Sequence, residues 1–361
     1  MTESSQEDRP PLVIARQGWF YVGGGYDEAS EDAPFVDQMY VEFQIPQERR
    51  FAPPLVFVHG GQQTGTNWTG TPDGREGWAQ FFLRRGHAVY VVDQVGRGRS
   101  AWRGDRQGPL APLRRAFALD RFAAPERPVP WPQARLHTQW PGAAEPGDPA
   151  FDQFAASQAP SIADYAHQQR INAAALVALV EKIGPAILVV HSQAGAFAWI
   201  VADRAPDAVA AIVAVEPNGP PGRDVAFLGA PDWFADTGRV KISGLGDVPL
   251  TWDPPLAEGE ALPLVRDDAP SAPECVTCWR QTEPPRRLVN LARTPVFMLT
   301  GEASYHAPYD HCTTAFLRAA GVQVDHVYLK DRGVTGNGHM LMIEKNSDAV
   351  AAVAADWIEA L

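Results

Sequence analysis

The sequence predicts an α/β fold, in which helices cover both faces of a mostly parallel central sheet. Continuously apolar runs at residues 55–58, 186–190, 209–215 and 296–299 are typical of buried parallel strands, because such strands have no face in water. Helical patterns separate most of these runs, and strands that alternate with helices indicate βαβ units. At 361 residues the chain is long enough to form one enlarged domain of this class.

The first hundred residues contain four predicted strands and one predicted helix. The first two strands show the partial alternation of an antiparallel pair with one wet face. The strands are expected at residues 12–22, 36–45, 55–58 and 87–92, and the helix at residues 78–85. The third strand runs into His59-Gly60-Gly61, and the fourth ends at Asp93 before the loop Gly96-Arg97-Gly98-Arg99-Ser100. That loop lacks the third glycine of a dinucleotide-binding motif, so Arg97 and Arg99 are expected to anchor it by salt bridges.

Two segments interrupt the α/β pattern. Nine prolines fall between positions 101 and 150, and because proline removes a backbone donor this stretch cannot be the interior of a sheet. A second Pro/Gly/Asp-rich stretch begins at Asn218. We predict a core formed by residues 12–100, 161–217 and 294–361, with insertions at 101–160 and 218–293. The first insertion is expected to be partly helical near residues 113–122.

The second half of the chain continues the alternation of strands and helices. Ser161 is expected to open a long helix that ends at Gly184-Pro185. The later elements are strands at 186–191, 209–215, 296–299 and 324–329 and helices at 194–202, 309–320 and 346–361.

Composition excludes several classes of partner. The chain has 31 Lys and Arg against 43 Asp and Glu, a net charge of −12, so neither nucleic acid nor an anionic membrane is an expected partner. The polar, acidic start predicts no secretory signal, and no apolar run is long enough to span a bilayer. A cytoplasmic location and a small-molecule substrate are therefore expected. Whether the chain forms a homo-oligomer remains open.

The three cysteines do not form a disulfide framework. Cys275 and Cys278 have the spacing of half a zinc site, which His311-Cys312 would have to complete. We expect no bound metal. We expect the cysteine thiols to be reduced or only incidentally paired.

Ser192 lies at a point where the pattern changes abruptly from strand to helix. An apolar strand ends at His191, and small residues follow in Ala194-Gly195-Ala196. A serine on such a turn exposes its hydroxyl, as in a nucleophile elbow, although Val190 stands where glycine is usual. A serine hydroxyl then needs a base, a group that orients the base, and donors for the oxyanion.

Taken together, the elbow at the fifth strand and the strand–helix order resemble the α/β-hydrolase superfamily. The resemblance implies an α/β-hydrolase fold with Pro/Trp-rich cap insertions and the chain order serine, acid, histidine. It assigns the base to His339, in a Gly-rich loop before the last helix; His306, His311 and His326 are the weaker candidates. The chain is further similar to a bacterial serine esterase branch with the acid after strand six. The motifs that carry this likeness are His191-Ser192-Gln193, Val215-Glu216-Pro217, Thr71-Pro72-Asp73-Gly74-Arg75, Asp93-Gln94, Gly96-Arg97-Gly98-Arg99-Ser100 and Gly338-His339-Met340.

That branch implies Glu216 as the acid, with Asp310 and Glu302, which follow strand seven, as alternatives. The oxyanion donors are then the N–H groups of Gln193 and Gly61, with Gln62 as the alternative to Gly61. Six of the eleven tryptophans fall in the two insertions. We expect some of them to line a bulky apolar pocket, the candidates being Trp102, Trp131, Trp140, Trp233, Trp252 and Trp279.

The resulting expectation is a serine hydrolase that cleaves carboxylic esters, including lactones or bulky aromatic esters, through an acyl-enzyme and without a cofactor. Two alternatives remain open. One is an acyltransferase or amidase that uses the same triad. The other is a catalytically silent protein of this fold that binds a ligand under the cap.

Overall fold

The computed structural model describes residues 9–26 and 32–361, and its largest element is an eight-stranded sheet. The strands of this sheet are β1 (Ile14–Val22), β2 (Met39–Pro46), β3 (Leu55–Val58), β4 (Val89–Asp93), β5 (Ala186–His191), β6 (Val209–Val215), β7 (Val296–Thr300) and β8 (Val324–Tyr328). Their spatial order is β1-β2-β4-β3-β5-β6-β7-β8. β2 pairs antiparallel with β1 and β4, and the other neighbours are parallel. The predicted α/β fold with a mostly parallel sheet is confirmed.

Five main helices flank the sheet. They are α1 (Trp78–Arg85), α2 (Tyr165–Ile183), α3 (Ala194–Arg204), α4 (Asp310–Ala319) and α5 (Ser347–Ile358). α2, α3 and α4 pack on one face of the sheet, and α1 and α5 pack on the other together with the first insertion.

The central strands are apolar throughout because both of their faces are covered. Along β5, Leu188 and Val190 belong to one core, whereas Ile187 and Val189 belong to the other. Each is nearly or fully buried, and complete burial of such a side chain stabilises the fold by about 1.5–3 kcal/mol. The loops at the carboxyl ends of β5, β6 and β7 are thus held on a rigid base.

Some predicted boundaries were wrong. α2 begins at Tyr165 rather than near Ser161, because the side chain of Asp164 accepts the N–H of His167 and caps the helix. Ser161–Ile162 instead pairs with Leu110–Ala111 as a two-residue strand. The strand predicted at residues 36–45 is broken by Asp37, which has a φ of 61°, so β2 starts only at Met39.

The two predicted insertions differ in structure. Residues 101–160 contain short helical segments: Gly104–Gln107, Arg115–Ala118, Leu119–Ala123, Pro132–Leu136 and Pro149–Ala156. Residues 218–293 contain three small antiparallel strand pairs: Arg223–Phe227 with Phe234–Val240, Trp252–Asp253 with Arg287–Leu288, and Leu264–Arg266 with Trp279–Gln281. Both segments also contribute buried side chains to the cores beside the sheet. The division into a core and two insertions stays a prediction.

The cysteines do not match the expectation of reduced or incidentally paired thiols. Cys278 and Cys312 form a disulfide that joins the second insertion to α4, and Cys275 is free. The polar start at residues 1–8 and the acidic turn at 27–31 lie outside the described residues. Within the described ranges, no helix is both long and apolar enough to cross a membrane.

Candidate active site

Ser192 occupies a strained turn between β5 and α3. Its φ is 54°, a value that non-glycine residues rarely adopt and that costs about 1–3 kcal/mol. The turn is held by backbone hydrogen bonds: the Ser192 N–H donates to Val215 at 3.1 Å, and the Ser192 carbonyl accepts from Gly195 at 2.9 Å and from Asn218 at 2.7 Å. A Cβ atom at Gly195 would lie 2.5 Å from that of Pro217. Glycine is therefore required at that position.

Glu216 begins a second strained turn, directly after the neighbouring strand β6. Its φ is 46°, and its carboxylate is fully buried. One carboxylate oxygen accepts the N–H of Gly301 at 2.7 Å. The other accepts the Ser304 hydroxyl at 2.6 Å and lies 2.5 Å from Nδ1 of His339. Glu216 thus orients the His339 ring.

Burial governs the charge of this pair. Burial and the nearby Asp310 carboxylate raise the pKa of Glu216, although the donors Ser304 and Gly301 oppose the shift. Burial also lowers the pKa of His339 well below its usual range, and His191, His306 and Arg121 act in the same direction. The His339 imidazole is therefore unprotonated at neutral pH, the form that can accept a proton.

Tyr305 lies at the other nitrogen of His339. Its hydroxyl is 3.1 Å from His339 Nε2. Burial raises the pKa of Tyr305, and the nearby Ser192 side chain opposes the rise. Tyr305 therefore neighbours both Ser192 and the hydrogen-bonded His339–Glu216 pair. Sequence reasoning missed Tyr305; its one available signal was a position just after β7, among the candidate acids.

The alternative acids and bases are bound elsewhere. Asp310 accepts from the Thr300 hydroxyl at 2.7 Å and lies 2.9 Å from Nδ1 of His306. The rings of His306 and His339 stack with centroids 4.8 Å apart. Two imidazole–carboxylate pairs therefore lie side by side. Of the two histidines, His339 is the one that is hydrogen-bonded to Glu216.

The remaining candidates have other partners. Glu302 accepts the N–H of Gly336. His326 lies between the hydroxyls of Thr300 and Thr314, both at 2.9 Å, and His311 lies beside the disulfide sulfurs.

The two residues predicted to supply the oxyanion donors lie at one cavity with Ser192. Gly61, Ser192 and Gln193 line one cavity of about 200 Å³. The N–H of Gln62, the alternative donor, is already bound to the Ser161 hydroxyl at 2.9 Å. This favours Gly61.

Arg97 supports this loop in a way the sequence did not predict. It is buried and donates to the Gly60 carbonyl at 2.8 Å and to Oε1 of Gln193 at 2.6 Å. The prediction of a salt bridge at Arg97 was therefore wrong. Arg99 does form a salt bridge, with Asp93 at 2.8 Å. Burial lowers the pKa of Arg97 to about 9.

A second cavity, of about 270 Å³, also opens onto Ser192. Its aromatic walls come from Phe117, Tyr165, Phe227, Tyr305 and Tyr309. Residues of both insertions line it, as the cap hypothesis expects. Ser192 and Asn218 belong to both cavities, so two lobes meet at the serine.

None of the candidate tryptophans lines either lobe at Ser192, although Trp252 lines a separate cavity of about 360 Å³ in the second insertion. A role for the tryptophans in a substrate pocket stays a prediction. Trp140 packs against Phe154, and Trp252 packs against Phe316. Trp131 is buried behind Tyr305, and its indole N–H donates to the Ala303 carbonyl at 3.0 Å.

The other three tryptophans lie in surface loops or strands. Trp102 is 44% exposed, Trp233 is in the turn between two short strands, and the indole of Trp279 donates to Asp236. These tryptophans pack the insertions, and the aromatic walls come from phenylalanine and tyrosine.

Two groups of side chains in the described ranges have the spacing of metal ligands. In the first, Cys278 and Cys312 are joined to each other, so their sulfurs are not the thiolates that zinc requires. The second comprises Glu216, His306 and His339. Two of these three already contact each other as an imidazole–carboxylate pair.

Comparison with known proteins agrees with this architecture. Residues 53–269 match the model of the alpha/beta hydrolase fold. A protein described as probable secreted lipase PhiG, from Fungal sp. (strain ATCC 74256), is 39% identical over 358 residues, which cover 99% of this chain and 92% of the fungal one. A solved structure of a novel bacterial esterase has 27% sequence identity and a TM-score of 0.63, and the match covers 97% of each chain. The chain belongs to the α/β-hydrolase family.

Proposed function

We propose that this protein is a serine hydrolase of carboxylic esters. The observation that carries the proposal is the placement of the Tyr305 hydroxyl, which neighbours Ser192 and lies 3.1 Å from the imidazole of the hydrogen-bonded His339–Glu216 pair. The 39% identical relative described as a probable lipase and the 27% identical bacterial esterase support ester substrates.

In the proposed reaction the Ser192 oxygen attacks the ester carbonyl carbon. Its proton moves to the Tyr305 oxygen while the Tyr305 proton moves to Nε2 of His339. The resulting imidazolium is stabilised by Glu216 and then protonates the departing alcohol, which leaves an acyl group on Ser192. Water repeats the sequence in reverse, releasing the acid and restoring the serine.

The negative charge that develops on the carbonyl oxygen needs donors that are already in place. The N–H groups of Gly61 and Gln193 are proposed for this role, since neither has a hydrogen-bond acceptor among the described residues. Loss of one such donor costs about 100- to 1000-fold in rate.

Active-site labelling tests the reaction class. A fluorophosphonate should label the protein stoichiometrically at Ser192, with no labelling of Ser192→Ala and little of His339→Ala. A panel of p-nitrophenyl esters, aryl lactones and anilides, with and without added alcohol, then separates an esterase from an amidase or an acyltransferase. Absence of labelling in the folded protein would favour the ligand-binding alternative.

The compartment belongs to the same proposal. A disulfide between Cys278 and Cys312 is typical of an oxidising environment, and the fungal relative is described as secreted. We therefore propose an oxidising compartment in place of the cytoplasm expected from the sequence. Thiol titration of the protein purified from its native host would measure how much of the disulfide forms there.

A further inference from the structure

Arg121 is a cation held at the wall of the second cavity. It lies in the short helical segment Leu119–Ala123 of the first insertion. Its guanidinium carbon is 4.1 Å from the ring centroid of Phe227 and 5.6 Å from those of Trp131 and Tyr305. Such rings attract a cation and fix its position, but they do not replace the oxygen acceptors that its N–H groups bind.

No ion pair or hydrogen bond to a described residue holds the Arg121 guanidinium, and the neighbouring Asp120 acts on it only through its charge. Within residues 9–26 and 32–361, no carboxylate lies at ion-pair distance from its guanidinium and no acceptor oxygen binds it. By contrast Arg239, the other arginine lining the cavity, binds Asp224 at 2.6 Å and Asp247 at 2.5 Å. The Asp224 carboxylate is also paired with Lys241 at 2.7 Å, so it does not offset Arg121.

The same cavity contains the reactive serine. Arg121 and Ser192 both line the space of about 270 Å³, together with His306, Tyr309 and Asn218. A cation of this kind in a confined aromatic site is expected to bind an anionic group of a ligand. Arginine suits a carboxylate because its planar N–H groups match the two oxygens.

We infer that Arg121 binds a carboxylate on the substrate, so that the preferred substrates are esters that carry a free carboxylate. This inference rests on the proposed function and names its substrate class. The carboxylate can belong to the acyl part, as in the half-ester of a dicarboxylic acid, or to the alcohol part. Either arrangement places the ester carbonyl at Ser192 and the anion at Arg121.

Matched ester pairs test the inference. For the acyl part, mono-p-nitrophenyl glutarate is compared with p-nitrophenyl valerate; for the alcohol part, 4-acetoxybenzoate is compared with its methyl ester. We expect kcat/KM to be at least tenfold higher for the anionic member of one pair. Arg121→Gln should lower that anionic-to-neutral ratio about 10- to 100-fold, and Arg121→Lys should restore part of it.

A control arginine comes from the same insertion. Arg127 donates to the carbonyls of Ala143 and Ala144 and does not line the cavity, so Arg127→Gln should leave the ratio unchanged. An equal ratio in the wild-type protein and Arg121→Gln would overturn the inference, as would an equal loss for both members of a pair.

A binding measurement keeps the two proposals separate. Calorimetry of Ser192→Ala with mono-methyl glutarate requires no turnover and should detect binding. Adding Arg121→Gln to this variant should weaken that binding at least tenfold. If the wild-type protein hydrolyses no ester but this difference is found, the esterase proposal fails and the carboxylate site stands. If it hydrolyses neutral esters and no difference is found, the carboxylate site fails.

Discussion

At the scale of single residues, the site depends on two strained positions at the ends of adjacent strands. Ser192 and Glu216 both have a positive φ, and each follows a strand that is buried on both faces. The flanking backbone hydrogen bonds hold both residues in these conformations, so the fold as a whole offsets the energetic cost of the strain. The strain itself supports a functional role for both residues.

The choice of acid can be tested with a matched pair of substitutions. Glu216→Gln should lower kcat about 1,000- to 10,000-fold, because a neutral amide no longer stabilises the imidazolium and favours the wrong tautomer. Asp310→Asn should lower kcat no more than about tenfold, because Asp310 binds His306 instead. Steady-state kinetics on a neutral p-nitrophenyl ester measures both. A larger loss in Asp310→Asn would reverse the assignment.

Tyr305 gives a second test at this scale. If its hydroxyl relays the proton, Tyr305→Phe should lower kcat about 10- to 100-fold, since this proton path loses its middle member. Circular dichroism and thermal unfolding would establish that the variant is folded. An unchanged or higher kcat would mean that Ser192 passes its proton to His339 directly and that Tyr305 only occupies the gap.

The sequence was sufficient for residues that belong to a motif, but not for those defined by packing. Ser192 and His339 were predicted from the strand–turn–helix pattern and the chain order, whereas Glu216 was predicted from the likeness of Val215-Glu216-Pro217 to an esterase branch. Tyr305 and Arg121 act through neighbours that are distant in sequence. The sequence does not show which tryptophans line a cavity, because an aromatic residue in a cap has the same local pattern whether it lines a cavity or fills a core.

At the scale of elements, the loop after β3 depends on a single buried side chain. Arg97 reaches both the Gly60 carbonyl and the Gln193 side chain, and thus links the two segments that carry the proposed oxyanion donors. Lysine has one charged nitrogen and cannot match this fork. Arg97 is therefore a positioning residue for the oxyanion site.

We expect Arg97→Lys to lower kcat about 10- to 100-fold while KM changes less than about threefold, because displaced donors weaken binding of the transition state more than that of the substrate. Arg99→Lys is the matched control, since Arg99 lies in the same loop but is partly exposed and binds Asp93 and Glu42 instead of Gly60 and Gln193. A change confined to KM, or equal losses in both variants, would argue against this role.

Element boundaries were predictable where one residue stops or starts an element unambiguously. Gly184 ends α2 as expected, and Gly86 follows the last residue of α1. The start of α2 was misplaced because Ser161 and Asp164 are both good caps, and the choice depends on pairing with Leu110–Ala111. The small strand pairs of the second insertion have no periodic apolar pattern, since one or both of their faces are wet.

At the scale of the whole molecule, a buried histidine ties the first insertion to the loop that carries His339. His137 lies between Glu126, at 3.1 Å, and Glu344, at 3.0 Å. Glu344 also accepts the N–H of Gly338, the neighbour of His339. Burial opposes protonation of His137, but the hydrogen bonds and charges of the two carboxylates outweigh it and raise the pKa of His137 to about 9.

This contact predicts a pH dependence of stability. Because the pKa is raised from 6.5 to about 9 on folding, the stabilisation is complete below pH 6.5 and is lost as the pH rises through 9. The loss is on the order of 3 kcal/mol. Urea unfolding between pH 6 and 9.5 should show the decline in the wild-type protein and in His167→Gln, a control on α2. A decline of the same size in His137→Gln would contradict the assignment to His137.

The adjacent His306–Asp310 pair has a consequence for how this enzyme can evolve. A lineage that loses the Glu216 carboxylate still has a second imidazole–carboxylate pair, His306 and Asp310, and the His306 ring stacks on the ring of His339. Recovery of activity then has a route other than reversion. In a genetic screen that starts from Glu216→Gln, second-site suppressors should accumulate around His306 and Asp310. A short shift of these side chains would bring the second imidazole–carboxylate pair to Ser192.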